Sequence, residues 1–168
     1  LFIGTEGNGV FVYDLNSNIY TNRLSHKNNG LSNDSISAVR FYCGKYYVST
    51  AGGGINILLK NGSVFKMEQK INLGLFDDFI ADISFHQDEL WITNSNGEGL
   101  ISYNLETKEI NKYKNSPLFS GSISNDNLRC LCFDRSGKLW IATSGTGVDA
   151  MNPDYAKSTN LLIPTSDV

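Results

Sequence analysis

The sequence predicts an all-β fold, a β-propeller assembled from four-stranded antiparallel blades. Three observations lead there. A short aromatic-centred strand pattern recurs along the chain at near-constant spacing. Each copy is followed by a pair of glycines and a second alternating segment. No stretch carries sustained helical periodicity.

The recurring element is Leu1-Phe2-Ile3-Gly4-Thr5, then Tyr46-Tyr47-Val48-Ser49-Thr50, Leu90-Trp91-Ile92-Thr93-Asn94 and Leu139-Trp140-Ile141-Ala142-Thr143. Its second positions, Phe2, Tyr47, Trp91 and Trp140, lie 45, 44 and 49 residues apart. Four antiparallel strands fit into about 45 residues, the size of one propeller blade. A lone four-stranded sheet has two faces to bury, and stacking blades around an axis buries both. The aromatic position therefore reads as blade core, a ring that fills the gap between neighbouring twisted sheets. A sugar-stacking role fits less well, because the ring recurs at one structural position in every repeat.

The other strands follow from the same register. The glycine pairs Gly7 and Gly9, Gly52 and Gly54, Gly97 and Gly99, and Gly145 and Gly147 mark the turn out of the aromatic strand. Glycine supplies positive φ there without steric cost. A phosphate-binding reading of Thr143-Ser144-Gly145-Thr146-Gly147 fails, because no G-x-x-x-x-G-K-[ST] run exists and no helix follows. Alternating segments come next: Val10–Tyr13, Ile55–Leu58 and Leu100–Tyr103, with Val148–Met151 a degenerate copy. Ile36 and Val39, Ile80 and Ile83, and Leu128 and Leu131 mark a strand upstream of each aromatic segment. A turn such as Asp134-Arg135-Ser136-Gly137-Lys138 joins the two as a hairpin. A fourth strand follows polar turns such as Asn61-Gly62 and Asn104–Lys108.

Composition narrows the function classes. A hydrophobic content of 40% with 18% charged residues rules out a disordered polymer. The apolar runs are too short for a transmembrane helix, so no direct membrane contact is expected. The net charge of −3 leaves no basic footprint for nucleic acid. Cys43, Cys130 and Cys132 are too few for a disulfide framework. Cys130 and Cys132 read as small buried hydrophobes, and neither His26 nor His86 lies near them in sequence to complete a metal site. No metal and no cofactor are expected. No catalytic motif is found either. Asp77-Asp78 are sequence neighbours that point apart on a strand, whereas a glycosidase needs two carboxyls about 5–10 Å apart.

The repeats resemble the two-component regulator propeller family. The resemblance rests on Gly30-Leu31-Ser32-Asn33-Asp34-Ser35-Ile36-Ser37-Ala38-Val39 and on the run from Asn125 to Thr143, Asn-Asp-Asn-Leu-Arg-Cys-Leu-Cys-Phe-Asp-Arg-Ser-Gly-Lys-Leu-Trp-Ile-Ala-Thr. In that family a G-L-S-N-x-x-I entry precedes D-x-x-G-x-L-W-I-G-T-x-x-G-G-L. The sequence departs from it at Ser49, Thr93 and Ala142, which replace a glycine kept as Gly4. The middle repeat also departs, entering through Gly74-Leu75-Phe76-Asp77-Asp78-Phe79-Ile80. The resemblance implies a non-catalytic sensor or input module of a hybrid two-component protein, periplasmic as part of an inner-membrane histidine kinase. It also implies an oligosaccharide ligand. The alternatives are a structural protein-interaction platform and, with less support, a fragment of a propeller carbohydrate-active enzyme.

The repeats span residues 1–152, with 153–168 a degenerate blade strand or tail in which Pro153 and Pro164 disfavour a central strand. Three to four blades are expected, a fragment of a larger, family-typical seven-bladed propeller, whose partners are neighbouring blades, other domains of the parent chain, or further copies through exposed strand edges. Ligand contacts are expected on the loops that cross between blades and on the glycine turns. These loops carry Glu6, Asn8, Asn33, Asp34, Asp77, Asp78, Asn94, Asn96, Asn125 and Asp126, with Phe76 and Phe119 as exposed apolar contacts. Such polar groups suit hydroxyl-rich ligands, though Asn and Asp equally cap turns.

Overall fold

A computed structural model describes the backbone of residues 1–155 and 157–161 and the side chains of residues 1–154. The chain divides into two compact units, residues 1–81 and 82–168.

The first unit opens with a three-stranded antiparallel sheet of β1 (Phe2–Gly4), β2 (Val10–Asp14) and β3 (Ile19–Leu24). A one-turn helix, α1 (His26–Asn29), follows; the sequence's lack of helical periodicity gave no sign of it. Its boundaries have local causes. The Ser25 hydroxyl accepts the Asn28 amide at 3.2 Å, and Gly30 closes the turn at φ 73°. A four-stranded sheet comes next, of β4 (Ile36–Tyr42), β5 (Lys45–Thr50), β6 (Gly54–Asn61) and β7 (Val64–Ile71), in that spatial order.

The third sheet comprises β8 (Ile80–His86), β9 (Glu89–Asn94), β10 (Leu100–Asn104) and β11 (Ile110–Tyr113). The fourth comprises β12 (Leu128–Phe133), β13 (Leu139–Thr143), β14 (Val148–Asn152) and β15 (Lys157–Leu161). The degenerate copy Val148–Met151 thus forms a regular strand, paired to β13 from Ala142↔Val148 to Leu139↔Met151. The stretch after 152 contributes a fourth strand, β15, paired to β14. Pro153 sits in a short 3-10 turn ahead of it, where a missing amide breaks no ladder, and Pro164 lies outside the described residues. Strands meeting edge to edge in sequence order, three in the first sheet and four in each of the other three, are the predicted all-β propeller architecture.

Each unit has its own core. In the first, Val10, Val12, Leu24, Leu31, Val48, Leu58 and Phe65 cluster between the first two sheets. In the second, Trp91, Leu100, Ile123, Leu128, Leu131, Leu139, Ile141 and Met151 do so between the last two. The aromatic positions differ in burial. Phe2 is half-buried and packs on Tyr46 and Phe65 of the next sheet, with centroids 4.8 and 5.8 Å away. Tyr47 is buried. Trp91 is buried, stacked on Tyr113 at 5.5 Å and edge-on to Phe133 of the next sheet at 6.3 Å. Trp140 departs from the expected blade core. It is half-buried, and its indole N–H donates to Asp134 Oδ2 at 2.8 Å within its own hairpin.

The cysteines correct the sequence reading. Cys43, Cys130 and Cys132 are all exposed. The register of β12 on β13 shifts between Leu128 and Cys130, a bulge that resets the alternation. Leu131 then faces the core, and Cys130 and Cys132 share the opposite face.

Candidate functional site

The candidate site lies where the glycine turns of one sheet meet the crossing loop to the next. Backbone hydrogen bonds fix this meeting in three of the repeats. Gly7 and Gly9 amides donate to the Asp34 carbonyl at 3.1 and 2.8 Å, the Gly54 amide donates to the Asp78 carbonyl at 2.9 Å, and the Gly99 amide donates to the Asp126 carbonyl at 3.0 Å. Two of the glycines are required by space as well as by φ. A Cβ on Gly9 would collide with the Leu24 carbonyl oxygen, and one on Gly99 with that of Tyr113. A threonine at the head of three of the turns tightens each one. Thr5 Oγ1 donates to the Gly9 carbonyl at 2.8 Å, Thr50 Oγ1 to Gly54 at 3.0 Å, and Thr143 Oγ1 to Gly147 at 2.8 Å.

The predicted Asn and Asp residues are mostly engaged in this framework. Asn33 accepts the Ser35 amide at 2.8 Å and donates to the Ala51 carbonyl at 2.9 Å. Asn125 repeats the pattern, accepting from Asn127 at 2.7 Å and donating to Ser144 at 3.1 Å. Asp77 accepts the Phe79 amide at 3.1 Å. These are Asx turns, and the one at Asp77 gives the divergent Gly74–Ile80 entry the same kind of local turn as the other two. The carboxylates of Asp34 and Asp126 accept the amides of His26 and Asn115, both at 2.6 Å, and so tie the start of each crossing loop to its end. Asp78 pairs instead with Lys70 at 3.1 Å, a partly exposed ion pair worth little to stability.

Asn94 is fully buried, unlike a ligand contact on the loop rim, and accepts the Asn96 amide at 2.7 Å. Asn96, Glu6 and Asn8 are exposed, and Asn8 accepts from Arg23 through its carbonyl at 2.8 Å and its Oδ1 at 3.3 Å. Phe76 is 97% exposed and Phe119 50%, alongside Leu118 at 100%. The structure thus brings the predicted residues to the loops, but it uses most of the polar ones as capping groups.

Sequence reasoning missed a buried clasp between the crossing loop and the third strand. Asn56 accepts the Ser32 amide at 3.0 Å and donates to Ser32 Oγ at 2.9 Å and to the Val48 carbonyl at 3.3 Å. In the last sheet Asp149 takes the same place, accepting the Ser124 amide at 2.8 Å. The available signal was the polar interruption of the apolar run Ile55–Leu59 by Asn56.

The electrostatics are quiet. Among the described residues no three His, Cys, Asp or Glu side chains gather as a metal site requires. Partial desolvation beneath its exposed surface, with the nearby Asp82 and Cys132, pushes the Cys130 thiol up, which disfavours the reactive thiolate. Burial and then the charge of Glu109 push the Glu89 carboxyl up, while His86 pulls it down. Glu89 opens β9, at the far end of that strand from the glycine turns.

Residues 122–145 match the model of the family described as two component regulator propeller. Histidine kinase P4 of Formosa agariphila is 27% identical over 165 residues, covering 90% of this chain and 11% of that protein. The extracellular domain of a hybrid two component system from B. thetaiotaomicron superposes with a TM-score of 0.72 at 20% identity, covering 99% of this chain and 24% of the other. A catalytically inactive virginiamycin B lyase from Staphylococcus aureus superposes with a TM-score of 0.68 at 16% identity, over 95% of this chain and 50% of that one. The chain therefore spans a small part of the kinase and about a quarter of the extracellular domain. At these identities the solved structures speak for the propeller fold alone. No helix among the described residues is long and apolar enough to cross a membrane.

Proposed function

We propose that this chain of two component regulator propeller repeats is a non-catalytic input module of a hybrid two-component histidine kinase, placed on the periplasmic side of the inner membrane. The observation that carries this reading is the family match at residues 122–145, inside a fold shared with a two-component extracellular domain. Its ligand is hydroxyl-rich, an oligosaccharide, held by the loop end of the blades. Within the first unit Glu6 and Asn8 are its exposed polar contacts, and exposed Phe76 supplies a face for a sugar ring. The backbone clamps at Asp34, Asp78 and Asp126 would carry a displacement of a loop into the adjoining blade. Phosphotransfer belongs to other parts of the parent chain.

A second reading, a protein-interaction platform through neighbouring blades, other domains or further copies of the chain, draws on the exposure of Phe76 and Leu118. A glycan array probed with the labelled chain, together with sedimentation of the same sample, separates the two. Retention of a defined oligosaccharide, reduced by Phe76→Ser or Glu6→Ala, supports the sensor reading. No retained glycan, together with self-association lost in the same variants, supports the platform.

A further inference from the structure

The crossing loop from β11 to β12 is built differently from the loop that holds α1. Its ends are tied twice. Asn115 Nδ2 donates to the Ile123 carbonyl at 2.7 Å, and the Ser122 hydroxyl accepts the Ser116 amide at 3.0 Å while donating to the Ser116 carbonyl at 3.1 Å. The tip turns through Phe119, whose amide donates to the Ser116 carbonyl at 3.0 Å. The result is a closed surface loop of the compact kind that often carries function.

Beneath it lies a cavity of about 130 Å³. Ile123 and Met151, both buried, belong to its lining, and half-buried Tyr113 and exposed Phe119 are its aromatic members. In the first unit the positions equivalent to Tyr113, Ile123 and Met151 are Leu24, Leu31 and Leu58, all completely buried. The Ser122 hydroxyl is occupied by its ties to the Ser116 backbone. Lys114 is turned to the Gly97 carbonyl at 3.2 Å, with the Glu98 carboxylate 3.8 Å away. The lining therefore offers apolar and aromatic surface with few polar groups left to recognise a hydroxyl-rich compound or an anion.

We infer that this cavity is a second, separate ligand site that takes one uncharged apolar ring, of the size of a phenol. An enclosed apolar cavity of about 150 Å³ holds a benzene-sized ring, so this partly open pocket of about 130 Å³ has room for one ring. A ligand of this size binds with a dissociation constant on the order of 1 mM. The site is independent of oligosaccharide recognition on the loop rim.

The chain contains two methionines, Met67 and Met151, of which only Met151 lines the cavity. The test is a titration of the intact chain, carrying 13C-methyl methionine, with p-cresol, followed by NMR. Benzoate and methyl glucoside are titrated in parallel. The expected result is a saturable ring-current shift of the Met151 methyl with p-cresol, while Met67 stays in place. Benzoate and methyl glucoside leave both unmoved. Phe119→Ser weakens p-cresol binding at least fivefold, and Leu118→Ser, at a fully exposed neighbour, leaves it unchanged. The inference is overturned if Met151 does not respond to p-cresol, if Met67 shifts in parallel, or if Leu118→Ser weakens binding as much as Phe119→Ser. A Met151 response to methyl glucoside or benzoate also overturns it, the former by making the cavity a saccharide subsite. A failed glycan screen with a positive p-cresol titration would remove the saccharide reading and leave this site standing.

Discussion

Asn56 and Asp149 occupy the same place in two blades, but only Asn56 has all its polar side-chain atoms hydrogen-bonded. The Asn56 amide group donates to Ser32 Oγ and to a strand carbonyl. Asp149 has no hydrogen to give there, and its Oδ1 is buried without a hydrogen-bond partner among the described residues. Asp149→Asn therefore restores a donor at a site built for one. It is expected to stabilise the chain at neutral pH by about 1–2 kcal/mol, read from urea denaturation. The reverse change, Asn56→Asp, is expected to destabilise it by a similar amount, and an unchanged midpoint in both variants would count against the clasp.

The glycine turns give a second contrast. Gly9 and Gly99 have positive φ, and the clash their Cβ would make is with main-chain carbonyls rather than with side chains that can move aside. Gly7 has positive φ too, but open space around it. Gly7→Ala is expected to cost about 1 kcal/mol, and Gly9→Ala or Gly99→Ala about 3 kcal/mol or more. Denaturant midpoints of the three variants measure the difference.

The two tryptophans should respond unequally. Trp91 is buried between sheets, so Trp91→Ala is expected to cost about 3–5 kcal/mol. Trp91→Phe should be milder, since the buried indole N–H has no hydrogen-bond partner among the described residues to lose. Half-buried Trp140 should tolerate truncation better, at about 1–2 kcal/mol in the same experiment.

Asp134 supplies a pH dependence. Hydrogen bonds from the Ser136 and Trp140 side chains, reinforced by the Ser136 and Lys138 amides, hold its carboxyl far below the ordinary 3.8. A carboxyl depressed in the folded state adds stability above its unfolded value, and that stability is lost as pH falls below about 4 toward the folded value. The Trp140 indole N–H resonance is expected to keep its hydrogen-bonded position through pH 4 and to move only in stronger acid. Asp134→Asn should remove this acid-linked change, and movement near pH 4 in the parent chain would contradict the assignment.

Much of the fold was legible because its cause is periodic. Alternation, paired glycines and a ring at one position recur in every repeat, so the strands could be placed from spacing alone. What was not legible has non-periodic causes. α1 is a single turn held by Ser25 and Gly30, too short for any helical period. The strand β15 follows a proline in a polar stretch, and its partner is the neighbouring β14 rather than an apolar pattern of its own. Cys130 and Cys132 are exposed because one bulge shifted the register. At the site, residue type alone identified Asn33 and Asn125 as loop residues, but not whether their amides turn outward or back to the chain. The cavity joins Tyr113, Phe119, Ile123 and Met151 only through the closure of a loop, which sequence spacing does not encode.

The most direct test of ring packing between adjacent sheets is a double-mutant cycle on Trp91 and Phe133, whose rings meet across two sheets at 6.3 Å. Stabilities of Trp91→Leu, Phe133→Leu and the double variant give the coupling free of each residue's burial. A coupling of about 0.5–1.5 kcal/mol is the predicted result. Strict additivity of the two substitutions would contradict it.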